Sequence, residues 1–284
     1  MFRSVSVGIA AALCALAALP ARAEQWNKVY KVNGRPDVRV TTNDAPIEVT
    51  SGDAKEVSAR VVTNNWAISP DEVRIERDVQ NGNSIELEVR VPRIHFSWGD
   101  QHRWVRIELT VPKEANLNLH SGDGHIRANG VNGDLQLETS DGSIDVSDLR
   151  GTIRLHSGDG HIEGSALDGS LDASTNDGHL RIRGRFESLR LETGDGSVTA
   201  EVLPGSKLAT NWSIHTGDGS VTVRLSDGIS ADLEAHTGDG NISSQLPLMV
   251  SGILGRKDLR GKLGGGGPTL QIRTGDGSIR LERL

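Results

Sequence analysis

The sequence predicts an all-β protein, specifically a parallel β-solenoid of coils about 18 residues long with an N-terminal antiparallel β cap. Three observations predict it: a recurring Asp-Gly pair, apolar residues that alternate with polar ones on both sides of each pair, and few aromatic residues. The 284 residues include 34 glycines but only five Trp, one Tyr and three Phe. Stacked aliphatic side chains can fill a core of that composition.

Residues 1–23 have the features of a secretory signal peptide. Arg3 precedes an apolar run, and the small-residue sequence Ala-Arg-Ala ends the segment. The run is too short for a typical transmembrane helix, so we expect cleavage before Glu24 and no membrane span afterwards. The mature protein would be exported, and either periplasmic or extracellular at the cell surface.

Charge and cysteine content limit the classes of partner. Cys14, the single cysteine, lies in the signal segment, so we expect a mature chain without disulfides. The net charge of −7 argues against nucleic acid as a partner.

The Asp-Gly pair defines the repeat. Successive pairs that have Ser or Thr two positions before the aspartate are 18 residues apart over the first four intervals, and then 23, 21 and 37 residues apart, which indicates loop insertions between coils. The aspartates are Asp123, Asp141, Asp159, Asp177, Asp195, Asp218, Asp239 and Asp276.

Alignment on the aspartate reveals chemically uniform columns. Positions six and four before it are almost all aliphatic, position two before it is always Ser or Thr, and position three after it is always aliphatic. The alternation predicts two short strands around each tight turn. Fixed spacing implies that equivalent strands stack in parallel, about 4.8 Å apart. Stacking then buries the apolar side chains that a single repeat would leave exposed.

The rest of the chain is expected to cover or connect these coils. A degenerate copy surrounds Asp44, with Ala45 in place of glycine. The alternating runs 56–63, 72–77, 84–90 and 103–111 predict longer antiparallel strands that cap the first coil. Residues 245–268 are expected to form a flexible loop ahead of a final coil. The predicted organisation is therefore a signal peptide (1–23), a cap region with one degenerate coil (24–115) and solenoid repeats (116–284).

These residues resemble a known family. The Val-Pro-Lys at 111–113, the repeated Ser/Thr-x-Asp-Gly-x-Ile units, the Gly-rich segment 264–267 and the last unit at Asp276 are similar to the bacterial β-strand-repeat "putative adhesin" family, a domain of unknown function. The resemblance covers nearly all of the mature chain. It implies a β-solenoid, export and no assigned catalytic residues.

The aspartate column has two interpretations. Calcium-binding β-rolls also stack Asp and Gly in turns, so calcium is a possible cofactor. The structural interpretation is that Asp-Gly tolerates the left-handed backbone of a tight turn, and that the carboxylate accepts local N–H groups. We favour the structural interpretation and expect no other cofactor, because only one turn per coil carries the acid.

Histidines also fall into columns. In the column three before the aspartate they are interrupted by Glu138, Ser174 and Glu192, which favours a solvated face over a metal site. In the column two after it, only His161 and His179 fall on successive coils. The first column holds His120, His156, His215 and His236, and the second also holds His125.

Aromatic side chains concentrate in 92–104. They predict either an exposed patch that contacts a sugar or protein, or a small core of the cap, and we favour the core. The candidate contact residues are His95, Phe96, Trp98 and Trp104.

The sequence does not favour an enzyme. It contains no Gly-x-Ser-x-Gly, His-Glu-x-x-His or phosphate-loop motif, and no cysteine nucleophile outside the signal segment. We therefore expect a non-enzymatic adhesive or structural module whose partner is a protein or glycan of the cell envelope. A cation-binding envelope protein is the first alternative, and a carbohydrate-active β-helix enzyme the least favoured.

Overall fold

The computed structural model describes residues 23–53, 55–92 and 103–284. The described chain is all-β, with 23 strands and no helix among these residues. Residues 1–22 of the predicted signal peptide (1–23) and three of the candidate contact residues, His95, Phe96 and Trp98, lie outside the described residues. The strands are β1 (Ala23–Lys31), β2 (Asp37–Thr42), β3 (Ile47–Gly52), β4 (Glu56–Asn64), β5 (Arg74–Asn81), β6 (Ser84–Arg90), β7 (Trp104–Pro112), β8 (Asn116–Ser121), β9 (Ile126–Asn129), β10 (Asn132–Thr139), β11 (Ile144–Ser147), β12 (Arg150–Ser157), β13 (Ile162–Thr175), β14 (Leu180–Thr193), β15 (Val198–Val202), β16 (Trp212–Thr216), β17 (Val221–Leu225), β18 (Ala231–Thr237), β19 (Ile242–Ser244), β20 (Leu248–Leu254), β21 (Asp258–Leu263), β22 (Thr269–Thr274) and β23 (Ile279–Arg283).

Strands that precede an Asp-Gly turn pair with one another in parallel, and we call them the upstream ladder. Its central order is β8–β10–β12–β13–β14–β16. Leu117 pairs with Leu135, which pairs with Ile153, so residues 18 apart in sequence lie side by side. The predicted register of these columns is confirmed.

Strands that follow the turn form a second parallel set, the downstream ladder. Its central order is β9–β11–β13–β14–β15–β17. Ile126 pairs with Ile144, and Ile144 with Ile162. The long strands β13 and β14 belong to both ladders, because each continues from a downstream position into the next upstream position.

The core lies between the two ladders. The aliphatic columns are buried, apart from the half-buried Ile242, since alternation turns every second side chain inwards. Each fully buried Leu or Ile contributes about 1.5–3 kcal/mol relative to exposure. Phe186 and Trp212 are the large exceptions, and their rings meet edge to face at 6.5 Å between centroids.

The last repeat in sequence is not the last in space. β22 pairs in parallel with β16 on one side and β18 on the other, and β23 lies in the same way between β17 and β19. The coil that comes last in sequence therefore lies inside the stack rather than at its end. Equivalent strands present the same edge, so pattern alone does not determine which copy pairs with which.

The segment 245–268 also differs from expectation. It contains an antiparallel pair of strands, β20 and β21, and β21 continues the upstream ladder by pairing antiparallel with β18. The expectation of a flexible loop is wrong for this segment. The hairpin covers the upstream edge that β18 would otherwise leave open.

The N-terminal region interleaves in the same manner. The degenerate copy, β2 and β3, pairs in parallel with β8 and β9 on one side and with β6 and β7 on the other. β4 is antiparallel to β1 and β7, and β5 is antiparallel to β6. The antiparallel prediction therefore holds for β4 and β5, and for one side of β6 and β7, which are antiparallel to β5 and β4 but extend the parallel ladders on their other side.

One polar cluster joins the two outermost N-terminal strands. Tyr30 on β1 donates its hydroxyl hydrogen bond to Asp78 on β5 at 2.7 Å, and Lys28 Nζ lies 2.6 Å from the same carboxylate. Burial, and then the bond to Asp78, raise the pKa of Tyr30 far above its ordinary value. The cluster links the ends of the two ladders.

Candidate functional site

The turn column is built around a buried hydroxyl. Thr193 Oγ1 accepts the N–H of Gly196 in its own turn at 3.2 Å, and donates to the carbonyl of Gly178 in the preceding coil at 2.9 Å. Each hydroxyl thus fixes its own turn and ties it to the next. Donation to the neighbouring turn carbonyl recurs at Ser121, Thr139, Ser157, Thr175, Thr216, Thr237 and Thr274.

The glycine of each turn is required by close approach rather than by backbone angle. A Cβ on Gly196 would lie 1.8 Å from the carbonyl oxygen of Gly178, and one on Gly142 would lie 2.3 Å from that of Gly124. None of the eight glycines that follow the column aspartates is in the left-handed region; Gly151, Gly169 and Gly228 are, at positions outside these turns. The expected left-handed Asp-Gly turn is therefore wrong.

The aspartates of the column lie on the surface. Their backbone N–H groups donate to the preceding coil, as Asp195 N does to Asn176 O at 3.0 Å. The local N–H that we expected the carboxylate to accept is donated to the Ser or Thr hydroxyl instead. At Asp239, Lys257 Nζ lies 2.8 Å from the carboxylate and lowers its pKa.

The structure does not gather the column carboxylates into a cluster. All eight aspartates are exposed, one at each turn along the stack. Within the described part of the chain, no three His, Cys, Asp or Glu side chains are grouped so that they could hold one metal ion. Calcium binding stays a prediction.

The degenerate turn carries a perturbed carboxyl group. Burial, and then the negative charge of Asp123 in the neighbouring coil, raise the pKa of Asp44. Asp53 shows the opposite effect, because the hydrogen bond and charge of Lys113 lower its pKa. Both groups lie in the N-terminal part of the stack.

The upstream histidines lie on an outward column. His156, His215 and His236 are exposed, and His120 is half-buried. His215 and His236 belong to consecutive repeats, but β22 places Arg273 between them. His236 Nδ1 lies 2.8 Å from Asp258 on β21.

The downstream pair forms the predicted contact between successive coils. The rings of His161 and His179 stack with centroids 4.9 Å apart and planes 14° apart. His179 N donates to His161 Nδ1 at 3.1 Å, and Ser197 N donates to His179 Nδ1 at 3.2 Å. Both Nδ1 atoms therefore act as acceptors in this arrangement.

Of the candidate contact patch, Trp104 is described. It opens β7, is 45% exposed, and its ring faces the guanidinium of Arg106 at 5.6 Å from the centroid. This residue faces solvent rather than a cap core.

Sequence reasoning missed a groove across the downstream ladder. The groove has a volume of about 760 Å³ and crosses strands β3, β9, β11, β13, β14 and β15. Its signal was present in the polar residues four and six positions after each aspartate, which we left unassigned. One wall comprises Glu48, Arg127, Asp145, Glu163 and Arg181. The facing wall comprises Thr50, Asn129, Ser147, Ser165, Arg183 and Glu201.

Opposite charges pair along these walls. Arg127 lies between Glu48 and Asp145, at 3.5 and 3.4 Å, and Arg181 lies 2.8 Å from Glu163. The groups are exposed or half-buried, so each pair contributes little to stability, at most about 1 kcal/mol. Their main effect is to fix the side chains along the rim of the groove.

Residues 37–282 match the model of the family described as Toastrack DUF4097. This chain belongs to that family. Membership confirms the resemblance drawn from the repeated turns, and it extends over β2 to β23. No curated protein matches the chain.

Solved structures resemble this Toastrack family member at low sequence identity. A putative adhesin from Bacteroides fragilis is 12% identical, with 92% of this chain and 97% of that chain covered and a TM-score of 0.49. A putative adhesin from Parabacteroides distasonis is 13% identical (92% and 97% covered, TM-score 0.41). A putative lipid binding protein from the same organism is 14% identical (90% and 96% covered, TM-score 0.43).

No helical segment within residues 23–53, 55–92 and 103–284 has the length and hydrophobicity needed to cross a bilayer.

Proposed function

We propose that this Toastrack family member is an exported, non-enzymatic parallel β-solenoid with an N-terminal β cap, which acts as an adhesive or structural module of the cell envelope. Its partner is a protein or glycan of that envelope. The observation that carries the proposal is the pair of continuous ladders, which present outward polar columns at a constant spacing over many coils. A regular, rigid surface suits repeated contacts with an extended partner.

The turn hydroxyls support a non-enzymatic role. Thr193 and its equivalents are buried and bonded to the neighbouring turn, so they are not available as nucleophiles. The exposed carboxylates of the turn column lie in a row, one at each turn along the stack, rather than across a cleft from each other. No specific observation favours the cation-binding or carbohydrate-active alternatives.

Export is tested by expressing the full chain with its native N-terminus in a Gram-negative bacterium. We expect the protein in the periplasm or medium, with an intact mass that corresponds to a chain beginning at Glu24. Retention of residues 1–23 on a cytoplasmic protein would contradict the proposal.

The envelope role is tested with the exported, processed protein. We expect it to sediment with purified cell-envelope fragments and to release no soluble sugar or peptide from them. The same protein unfolded by heat is the control for nonspecific adsorption. Release of fragments would overturn the non-enzymatic role, and failure to sediment would overturn the envelope role.

A further inference from the structure

We infer that the groove across the downstream ladder binds a linear, uncharged polysaccharide along the stacking direction, with about one sugar unit per coil. This inference rests on the proposed envelope role and names the partner class of one face. The groove crosses six adjacent strands, so at about 4.8 Å per strand it is roughly 25 Å long. A partner that fills it must itself be extended.

The direction of the groove excludes strand addition. Backbone N–H and C=O groups of β9, β11 and β13 are already engaged by the strands on either side. A polypeptide in the groove could not pair its own backbone with the sheet, as peptides do at open edges. Only side-chain groups are offered, and a polymer with hydroxyl groups on every unit can match them.

The two walls provide complementary polar groups at each coil. Carboxylates and guanidinium groups on one wall are planar acceptors and donors that can each engage two hydroxyls. The facing wall is lined over four successive strands by the short side chains of Thr50, Asn129, Ser147 and Ser165. Short side chains leave room for a ring.

The charge balance of the groove selects an uncharged partner. Its lining has four carboxylates and three guanidinium groups, and these pair with each other. The fourth carboxylate, Glu201, is balanced by Arg224, which lies 2.9 Å away, so neither a polyanion nor a polycation would find an excess of opposite charge. An uncharged polymer hydrogen-bonds to the paired groups without separating them.

One feature lies at the centre of the charged wall. Asp145 on β11 and Glu163 on β13 lie side by side on this wall. Arg127 lies beyond Asp145, and Arg181 lies beyond Glu163. Two adjacent carboxylates form a strong set of hydroxyl acceptors. We place the tightest contacts of the polysaccharide here.

The test uses the exported, processed protein and a panel of neutral linear oligosaccharides, comprising β-1,4-glucans, β-1,3-glucans, xylans and mannans of two to six units, followed by calorimetry. At least one series should bind, with affinity that rises with length up to about six units, since six strands line the groove. Affinity should be unchanged between low and high salt, because the ligand carries no charge.

Matched variants locate the site. Ser147→Arg fills the wall of the groove and should weaken oligosaccharide binding by about tenfold or more, a loss of ~1.4 kcal/mol. Thr152→Arg adds the same charge at an exposed position of β12 on the upstream ladder, and should leave binding within about twofold. Ser165→Arg enters the same wall one coil further on, and replaces Ser147→Arg if that variant does not fold.

The outcomes separate this inference from the envelope role. Absence of binding across the panel overturns the groove inference, as does equal binding by wild type and Ser147→Arg, or tighter binding of polygalacturonate, chitosan oligomers or a Gly/Ser peptide of matched length. If the wild type still sediments with envelope fragments in those cases, the envelope role stands. Loss of both oligosaccharide and envelope binding in Ser147→Arg supports both proposals.

Discussion

At the scale of single residues, each turn depends on two contacts with the same carbonyl oxygen of the neighbouring coil. The hydroxyl of Thr193 must reach the Gly178 carbonyl, and the backbone at Gly196 must come within contact of the same atom. A buried backbone group without a partner is costly, and a Cβ at this position would occupy the space of the carbonyl oxygen. Ser or Thr, and Gly, are therefore the residue types that these positions accept.

Gly196→Ala should destabilise the protein by about 3 kcal/mol or more, because the new Cβ overlaps a backbone atom that cannot rotate away. Gly265→Ala is the matched control: a Cβ there meets no atom within 4 Å, so we expect a change of less than about 0.5 kcal/mol. The measurement is the free energy of unfolding in urea. Equal losses for both variants would contradict the close-approach explanation.

Thr193→Val should cost about 1–3 kcal/mol, since it keeps the shape of the side chain but leaves the buried Gly196 N–H without its acceptor. Thr193→Ser keeps the hydroxyl and loses one methyl group, for about 1 kcal/mol. Urea unfolding of both variants gives the comparison. If Thr193→Val unfolds with the same free energy as Thr193→Ser, the hydrogen bonds of the Thr193 hydroxyl do not contribute to stability.

Asp44→Asn should stabilise the protein at pH 7 by a small amount, under about 1 kcal/mol, since the group is largely solvated. The raised pKa of Asp44 means that the folded state favours the protonated carboxyl group. The protonated group stabilises the fold relative to the charged one, and this stabilisation is present below about pH 4 and is lost as pH rises. The advantage of Asn should therefore vanish in acid.

Asp53→Asn is the control of opposite sign. Lys113 lowers the pKa of Asp53, so the charged form stabilises the fold above about pH 4, and the Asn variant should gain nothing at pH 7. Unfolding free energies between pH 3 and pH 7 measure both effects. A stabilisation that is the same at all pH values would exclude titration of Asp44 as its cause.

At the scale of elements, repeats that lie near the ends of the sequence pair inside the stack instead of at its ends. β22 and β23 are paired with a strand on both sides, whereas β19, which precedes them in sequence, has only β23 as a partner among the described strands. Likewise, β2 lies between β6 and β8, and β3 lies between β7 and β9. The terminal repeats are thereby protected against fraying, which usually begins at chain ends.

The amides of β23 should exchange with deuterium more slowly than those of β19, although β23 is almost at the C-terminus. Exchange requires opening, and β23 is held by two neighbouring strands instead of one. Hydrogen-exchange mass spectrometry on peptides that cover 242–244 and 279–283 measures the difference. Faster exchange of the C-terminal peptide would contradict the interleaved order.

At the scale of the whole molecule, each turn adds a negative charge to the surface, but the turns do not require a cation. Two unit charges about 5 Å apart in water repel by roughly 0.8 kcal/mol before salt screening. The buried aliphatic columns, and the hydrogen bonds from the turn hydroxyls to the neighbouring coil, stabilise the stack against that repulsion. The stack can therefore hold together without metal.

Calcium should leave the melting temperature of the exported protein unchanged within about 1 °C, because the column carboxylates are exposed and ungrouped and Asp239 is already paired with Lys257. Melting in calcium and in chelator gives the comparison, with magnesium as the control for ionic strength. A rise specific to calcium would restore the cation-binding alternative.

The sequence by itself determined which residues are buried and which repeats are equivalent. Leu135 and Leu137 face inwards, and Gln136 faces outwards, because side-chain alternation is a local property of a strand. The 18-residue interval then determined the register between neighbours such as Leu117 and Leu135. The same 18-residue interval placed His161 and His179 on successive coils, where their rings stack.

Only the tertiary structure decided the order of the coils at both ends and the reason for each turn glycine. β22 pairs between β16 and β18 because every copy presents an equivalent edge, so the choice depends on connections and packing that no local pattern specifies. The close approach of Gly196 to Gly178 is likewise a distance between coils, absent from any one repeat. The groove along the downstream ladder arises in the same way, since its walls exist only once several coils are stacked.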